Sequence, residues 1–438
     1  MTKISSTVAV YWFRRDLRLE DNAGLLQALQ SGVEVLPLFI FDTTILSQLD
    51  DKSDRRVDFI HQALTVLQKQ LEGAGSSLFV RTGKPLEVFE QLAAELDIKA
   101  VYCNRDYEPY ALERDREVKS WLEKNNMEFH TAKDQVIFET NEILKADGKP
   151  YTVFTPYSRI WKQKLTAESY RPKASEKRME GFLKTDRQAI PGLEEIGFRK
   201  TSLTYRLPVV DKNIIRTYDE TRNFPALEGS TGLSTHIRFG TISIRQLVTL
   251  ATTLNETWLN ELIWREFFMS ILYHFPEVEK RSFKKQYENI AWRNNEAEFE
   301  RWCQGNTGYP MVDAGMRQLN ETGWMHNRVR MVTASFLTKH LLIDWRWGEA
   351  YFATKLMDYD LSANNGNWQW AAGCGCDAAP YFRIFNPSEQ TKKFDPQLKY
   401  IHRWVKELDT FEYPEPMVEH AFARNRALGT YKAGINEH

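Results

Sequence analysis

Residues 7–13 read Thr-Val-Ala-Val-Tyr-Trp-Phe. An uncharged run this rich in β-branched and aromatic residues reads as a strand buried on both faces. The chain then alternates. Asp21 and Asn22 can cap a helix that starts at about Ala23. Val33 to Phe41 is a second apolar strand, interrupted only by Glu34 and Pro37. The spacing of Ile60, Leu64, Leu67 and Leu71 predicts a helix over Arg56 to Leu71. Leu78-Phe79-Val80 is a third strand, and Pro85 opens a helix ending near Leu96. Ala100-Val101-Tyr102 is a fourth strand, with a charged helix after it. Strands alternating with helices predict a parallel sheet covered on both faces, an α/β domain of Rossmann-like kind. No Gly-x-Gly-x-x-Gly follows the first strand, so an ordinary dinucleotide site is not expected there.

Arg14-Arg15-Asp16-Leu17-Arg18 follows the first strand and reads as a solvated surface or a salt-bridge cluster. Residues 166–200 are rich in Lys, Glu, Pro and Ser with little periodicity, which indicates a long surface connection. From about Phe224 the strand signal fades and helical spacing takes over, as at Ile244, Leu247, Leu250 and Leu254. Ten of the thirteen tryptophans lie between Trp258 and Trp404. The second half is therefore helical and holds most of the large aromatic surface.

The bulk numbers exclude several classes. With 438 residues, two domains are the default. Hydrophobic residues make up 42% and charged residues 27%, ordinary for a soluble globular chain. The net charge is -1, so a nucleic-acid surface would have to be a local patch. Four cysteines, Cys103, Cys303, Cys374 and Cys376, are too few for a disulfide scaffold and fit a reducing compartment. Cys374-Gly-Cys376 is not the two-spacer metal or redox motif and has no histidine close in sequence, so no metal is expected. There is no long apolar run and no leader, so the expectation is a cytoplasmic protein without a membrane segment.

Chemistry concentrates in four stretches. Residues 358–370 read Asp-Tyr-Asp-Leu-Ser-Ala-Asn-Asn-Gly-Asn-Trp-Gln-Trp. Carboxylates and amides can bond the edge of a flat heteroaromatic ligand, and indoles can cover its faces. The same letters also suit a capped helix end with two core tryptophans. Residues 229–235, Gly-Ser-Thr-Gly-Leu-Ser-Thr, can surround a phosphate with donors or make an ordinary helix cap. On a helix over 260–268, Glu261, Trp264 and Phe268 share a face. A carboxyl beside indole suits a ligand such as a base, although a core Trp beside an exposed Glu is commoner. Residues 323–331, Gly-Trp-Met-His-Asn-Arg-Val-Arg-Met, also read as helical, with Asn327 and Met331 on one face. Arg330 is within reach of a carboxylate such as Asp358 or Asp360, Arg328 can meet a phosphate backbone, and His326 reads as a core histidine.

Together these stretches, with Trp-Leu-Asn-Glu-Leu-Ile-Trp-Arg-Glu-Phe, Thr-Gly-Tyr-Pro-Met-Val-Asp-Ala and Tyr-Trp-Phe-Arg-Arg-Asp-Leu-Arg, resemble the photolyase/cryptochrome family over essentially the whole chain. The resemblance is to bacterial class I cyclobutane pyrimidine dimer photolyases above all. It implies an α/β antenna domain over 1–132, a linker over 133–223 and an all-α FAD-binding domain over 224–438. It implies light-driven repair of pyrimidine dimers in UV-damaged DNA by electron transfer from reduced anionic FAD to a flipped-out dimer.

By motif, Tyr218, Ser230, Thr231, Gly232, Leu233 and Ser234 would line the FAD phosphates and ribityl chain. Trp324, Arg330, Asp358, Tyr359 and Asp360 would lie by the isoalloxazine, and Asn364 would face flavin N5. Glu261, Trp264, Asn327, Arg328, Met331 and Trp370 would take the dimer, with Glu261 bonding its carbonyls. Arg222, Arg265, Phe268 and Gln390 would lie near the DNA. Trp292, Trp345 and Trp368 match the relay that reduces oxidised flavin under light.

The nearest alternative is a cryptochrome-type blue-light photoreceptor. (6-4) photolyases carry histidine where Asn327 or Met331 stands, plant cryptochromes carry aspartate in place of Asn364, and many cryptochromes have a long tail. A general electron-transfer flavoprotein would not need Glu261, Trp264 and Trp370. The Asn-Glu pair of folate-binding relatives is missing at Asp106-Tyr107-Glu108, so a deazaflavin or second flavin is favoured as antenna, with Asp106 and Arg56 as candidate contacts. The expected state is a monomer with no obligatory protein partner.

Overall fold

The computed structural model describes residues 7–436. These residues form two compact units, each made of three stretches that alternate along the chain. The first joins residues through Glu139 with Leu165–Val210 and Leu233–Leu250. The second joins Thr140–Lys164 and Asp211–Gly232 with the residues from Ala251 onward.

The first unit is built on a five-stranded parallel sheet in the order β3-β2-β1-β4-β5. Its strands are β1 (Val8–Phe13), β2 (Glu34–Asp42), β3 (Phe79–Gly83), β4 (Ile98–Asn104) and β5 (Glu128–Ala132). β1 lies at the centre and all six of its residues are buried, as its uncharged sequence requires. Pro37 is tolerated in β2 because pairing with β3 begins only at Leu38, leaving one flank of Pro37 without a neighbouring strand. β5 escapes the sequence reading. It is an edge strand of mixed polarity, Glu-Phe-His-Thr-Ala, and pairs only with β4. Its helices include α1 (Ala23–Leu29), α2 (Arg55–Gly73), α3 (Pro85–Glu95) and α4 (Pro109–Lys124).

The capping expectation resolves onto one residue. Asn22 caps α1, accepting from Leu25 N–H at 3.1 Å. Asp21 instead receives Arg245 Nε at 2.7 Å. The 14–18 charge run is a buried salt-bridge cluster rather than a solvated face: Arg14 meets Asp115 at 2.5 Å, and Arg18 and Arg245 both meet Asp134 at 2.7 Å. Burial alone would raise the Asp134 carboxyl, but the two guanidinium groups outweigh it and hold it at about 2.

In parallel sheets, ligands bind at the carboxyl ends of the strands, where the strand order reverses. Here the Asn104 amide donates to Tyr11 Oη at 2.9 Å and Asn22 Oδ1 at 2.8 Å, while its Oδ1 accepts from Gly24 N–H. Side chains thus fill the end of the crevice beside β1 and β4.

The second unit is helical. Its elements include α5 (Phe154–Lys164), α6 (Glu256–His274), α7 (Pro310–Thr322), α8 (Asn327–Ser335), α9 (Trp345–Lys355), α10 (Leu361–Ala372), α11 (Pro387–Phe394) and α12 (His420–Asn436). Its core includes Trp302, Phe336, Trp345, Trp368, Tyr400 and Tyr431. Two glycines let α10 sit against its neighbours. A Cβ on Gly366 would stand 2.1 Å from the Phe268 ring of α6, and one on Gly348 of α9 would stand 2.1 Å from the Trp368 ring. The Phe268 and Trp368 rings therefore pack against backbone.

Candidate functional site

Asp360 sets the start of α10. Its carboxylate accepts from Ala363 N–H at 3.2 Å and from the Ser362 hydroxyl. One turn in, the amides divide. Asn365 Nδ2 and Gln369 Nε2 each donate to Val278 O at 2.9 Å, and Gln369 Oε1 accepts from Phe283 N–H. These two amides hold a neighbouring loop rather than a ligand. Asn364 lies across the helix and lines a cavity of about 100 Å³. Its Nδ2 donates to Glu349 O at 3.1 Å, which leaves Oδ1 and one N–H for the cavity.

The cavity brings together most of one predicted set and part of another. α8 contributes Asn327, Arg330 and Met331, α10 contributes Asn364, Trp368 and Trp370, and the turn between α9 and α10 contributes Asp358, Tyr359 and Asp360. Helical spacing explains the first group, since residues 327, 330 and 331 recur on one face. Arg330 is fixed from two sides, donating to Met325 O and to Asp358 Oδ2, each at 2.8 Å. Asp358 Oδ1 is buried without a hydrogen-bond partner. A buried acceptor left unpaired is costly, and the N–H edge of a flat ring would satisfy it. Carboxylate, guanidinium, amide and indole around one cavity fit a flavin, and FAD would be held there by Arg330, Asp358 and Asn364.

Other predicted residues lie outside the cavity lining. Glu261 on α6 accepts from Arg222 Nη1 at 2.5 Å. Burial raises the Glu261 carboxyl against the opposing pull of Arg222. Trp264 is half-buried, with Phe154 stacked on it at 3.7 Å. Arg265 is half-buried on the same helix, and Phe268 is buried against Gly366. Arg328 donates to Asn223 Oδ1 at 2.6 Å and lies 4.5 Å over the Phe394 ring. Burial lowers its guanidinium, and the like charges of Arg222 and Arg383 lower it further. Three arginines thus lie close enough to repel one another. Gln390, on α11 with Phe394, has its Oε1 buried without a partner.

Trp324 packs edge-on to His326 at 6.3 Å. Tyr218 is half-buried under Arg222. Trp345 and Trp368 are buried and Trp292 is half-buried. Ser230, Thr231 and Gly232 belong to the second unit, Leu233 and Ser234 to the first. The short helix Ser234–Phe239 has no side-chain cap. In the first unit, Arg56 pairs with Asp54 and Asp106 pairs with Arg15 at 3.2 Å, so both antenna candidates are engaged locally.

Two groups escaped the sequence reading. Glu349 on α9 accepts from Asn365 at 3.4 Å, and burial pushes its carboxyl up to about 7. Lys339 is buried, donates to Ala372 O at 2.8 Å and lies 3.6 Å over the Tyr431 ring, and burial pushes its ammonium down to about 7. Neither sits in a motif; burial alone makes them unusual. No cluster of three metal-ligating side chains occurs among the described residues.

His326 is a capping histidine: its Nδ1 accepts from Arg328 N–H at 3.2 Å at the start of α8. Burial first, then Arg328 and Arg330, push it down to about 4. A depressed histidine is neutral in the fold while the unfolded chain takes a proton below about 6.5. Stability is therefore lost as pH falls from 6.5 toward 4, by on the order of 3 kcal/mol for this group. Glu349 acts in the opposite sense, losing its contribution as pH rises through 7. In urea unfolding, His326→Asn keeps a cap and is expected to flatten the acid side of the curve. An unchanged slope would remove His326 as the source.

Residues 9–176 match the family model described as DNA photolyase, and residues 258–412 the one described as the FAD binding domain of DNA photolyase. The deoxyribodipyrimidine photo-lyase of Synechococcus is 37% identical, covering 98% of this chain and 98% of its own. A bacterial class III photolyase structure from Agrobacterium tumefaciens superposes with a TM-score of 0.89 at 32% identity over 99% of each chain. An archaeal photolyase structure from Sulfolobus tokodaii with two FAD molecules gives 0.84 at 35% identity, over 98% of this chain and 100% of that one.

Proposed function

Because this chain belongs to the DNA photolyase family, we propose that it uses light to repair cyclobutane pyrimidine dimers in DNA with a bound FAD. The carrying observation is the shared cavity: Arg330, Asp358 and Asn364, expected around a flavin, open onto the same space as Asn327, Met331 and Trp370, expected around a dimer. Bound reduced FAD supplies, on excitation, the electron that opens the cyclobutane ring and takes it back afterwards. The protein supplies orientation and a water-poor site. Arg330 and Asp358 hold one another and fix the cavity wall. Asn364 is aimed by the Glu349 carbonyl. Trp370 offers stacking for a base that has left the duplex, a contact worth about 1–3 kcal/mol. A dimer is already poorly paired, so taking it out costs less than for a sound pair.

DNA contact is assigned to the arginines. Arg328→Ala is expected to weaken binding of dimer-containing DNA about tenfold and to reduce the salt slope by about one. Fluorescence titration at several salt concentrations reads both, and an unchanged slope would take Arg328 out of phosphate contact. An antenna pigment, a deazaflavin or second flavin, belongs to this reading as a feature of the first unit.

The deciding experiment is blue-light treatment of an oligonucleotide carrying one cyclobutane thymine dimer, with reduced protein and a dark control. Light-dependent recovery of thymines supports the reading. FAD binding and photoreduction without repair would favour the photoreceptor function instead.

A further inference from the structure

Trp264 has one face closed. The Phe154 ring lies on it with centroids 3.7 Å apart and planes within 5°. Phe267 meets it edge-on at 5.6 Å and Phe268 tilts toward it at 5.4 Å. The indole is therefore covered by Phe154 on one face and flanked by two further rings, yet it remains half-buried. Phe154 is itself held twice. Its ring stands edge-on to Phe267 at 5.9 Å. Its N–H, at the first residue of α5, donates to Asp377 Oδ2 at 2.9 Å. Asp377 lies in the segment that leaves α10, the helix that carries Trp370. All of these residues belong to the second unit.

We propose that Phe154 is a positioning residue for lesion recognition. It holds the Trp264 indole in the one plane in which its open face can receive an extruded base, and Asp377 holds Phe154. The inference rests on the dimer-pocket reading of Trp264 given above.

The physical argument is one of preorganisation. A lone half-buried tryptophan must give up side-chain freedom when a base stacks on it, and that loss weakens binding. An indole already stacked has lost that freedom during folding. The 3.7 Å spacing is also close to that between stacked bases, so an extruded base would add a third layer to an existing stack. The two flanking phenylalanines fix rotation in the plane, and Phe154 fixes tilt. Asp377 matters because α5 and the α10 exit segment are far apart in sequence, and its carboxylate ties them at the residue that carries the ring.

The test compares Phe154→Leu, Phe154→Tyr and Asp377→Asn with the parent, all loaded with FAD. Leu keeps apolar bulk but has no flat face. Phe154→Leu is expected to raise the dissociation constant for dimer-containing oligonucleotide about tenfold, with undamaged-DNA affinity, FAD content and repair rate at saturating substrate unchanged. Phe154→Tyr should restore the parent's affinity, and Asp377→Asn should fall between. Parent-like dimer affinity in Phe154→Leu overturns the proposal. So does equal weakening toward undamaged and dimer DNA, which would mark a merely structural role. If Phe154→Leu loses FAD or does not fold, Asp377→Asn decides alone, and unchanged dimer preference in that variant overturns the idea. A parent that shows no preference for dimer DNA would instead remove the pocket reading itself.

Discussion

If the chain repairs cyclobutane dimers as proposed, Glu261→Ala is expected to slow light-driven repair of a single dimer about a hundredfold and to leave FAD content at the parent's level. The first half follows from charge. Once a dimer has received an electron, negative charge spreads onto its carbonyl oxygens, and a group that donates a hydrogen bond there acts where stabilisation is worth most. A carboxylate cannot donate; burial raises the Glu261 carboxyl against the pull of Arg222, so taking up a proton beside a bound dimer costs it less than it would cost an exposed glutamate. Losing one such donor costs roughly 10²–10³ in rate in comparable sites. The second half follows from position: Glu261 is not among the residues lining the cavity assigned to the flavin. Glu261→Gln keeps a donor, and about a tenfold loss is expected, since an amide oxygen accepts from Arg222 more weakly than the carboxyl does. Chromatographic counting of repaired strands under constant blue light reads the rate, and flavin absorbance reads the content. Repair at the parent's rate in Glu261→Ala would take the residue out of the chemistry.

The second large effect is all-or-none. Trp292→Phe is expected to abolish photoreduction of oxidised FAD and to leave repair by chemically reduced protein intact. Indole is readily oxidised by one electron, and of the three candidate tryptophans only Trp292 has appreciable exposure. Trp368 lines the cavity, Trp345 is fully buried, and Trp292 is half-buried. An outer member that meets solvent can be restored by an external reductant; a phenylalanine there cannot. Illumination of oxidised protein with a thiol, followed by absorbance, gives the answer. Normal photoreduction would exclude Trp292 from an obligatory path.

The sequence spoke clearly where one local period or run decides the outcome. β1 was legible because it is uncharged throughout and buried on both faces. Asn327 and Met331 were legible as neighbours because a helix places residues four apart on one side. Legibility ended wherever the partner is distant in sequence. Asp21 reads as a cap but answers to Arg245. Asn365 and Gln369 look like ligand groups, and nothing local reveals that Val278 O will stand opposite them. Glu349 and Lys339 are ordinary letters whose chemistry comes from being enclosed. β5 was missed because an edge strand needs no apolar run.

The alternation of the two units along the chain bears on how the gene can be divided. Three stretches each, interleaved, mean that no single cut separates one unit from the other. A fragment beginning at residue 224 would lack α5, and with it the Trp161 indole that donates to the buried Glu266 at 2.6 Å. It would also lack Phe154. Split reporters, stand-alone expression of the helical half, and exchange of the N-terminal half between relatives must therefore carry residues 140–164 with the helices they serve. In recombination, the unit of inheritance is a set of interlaced segments rather than a half of the reading frame.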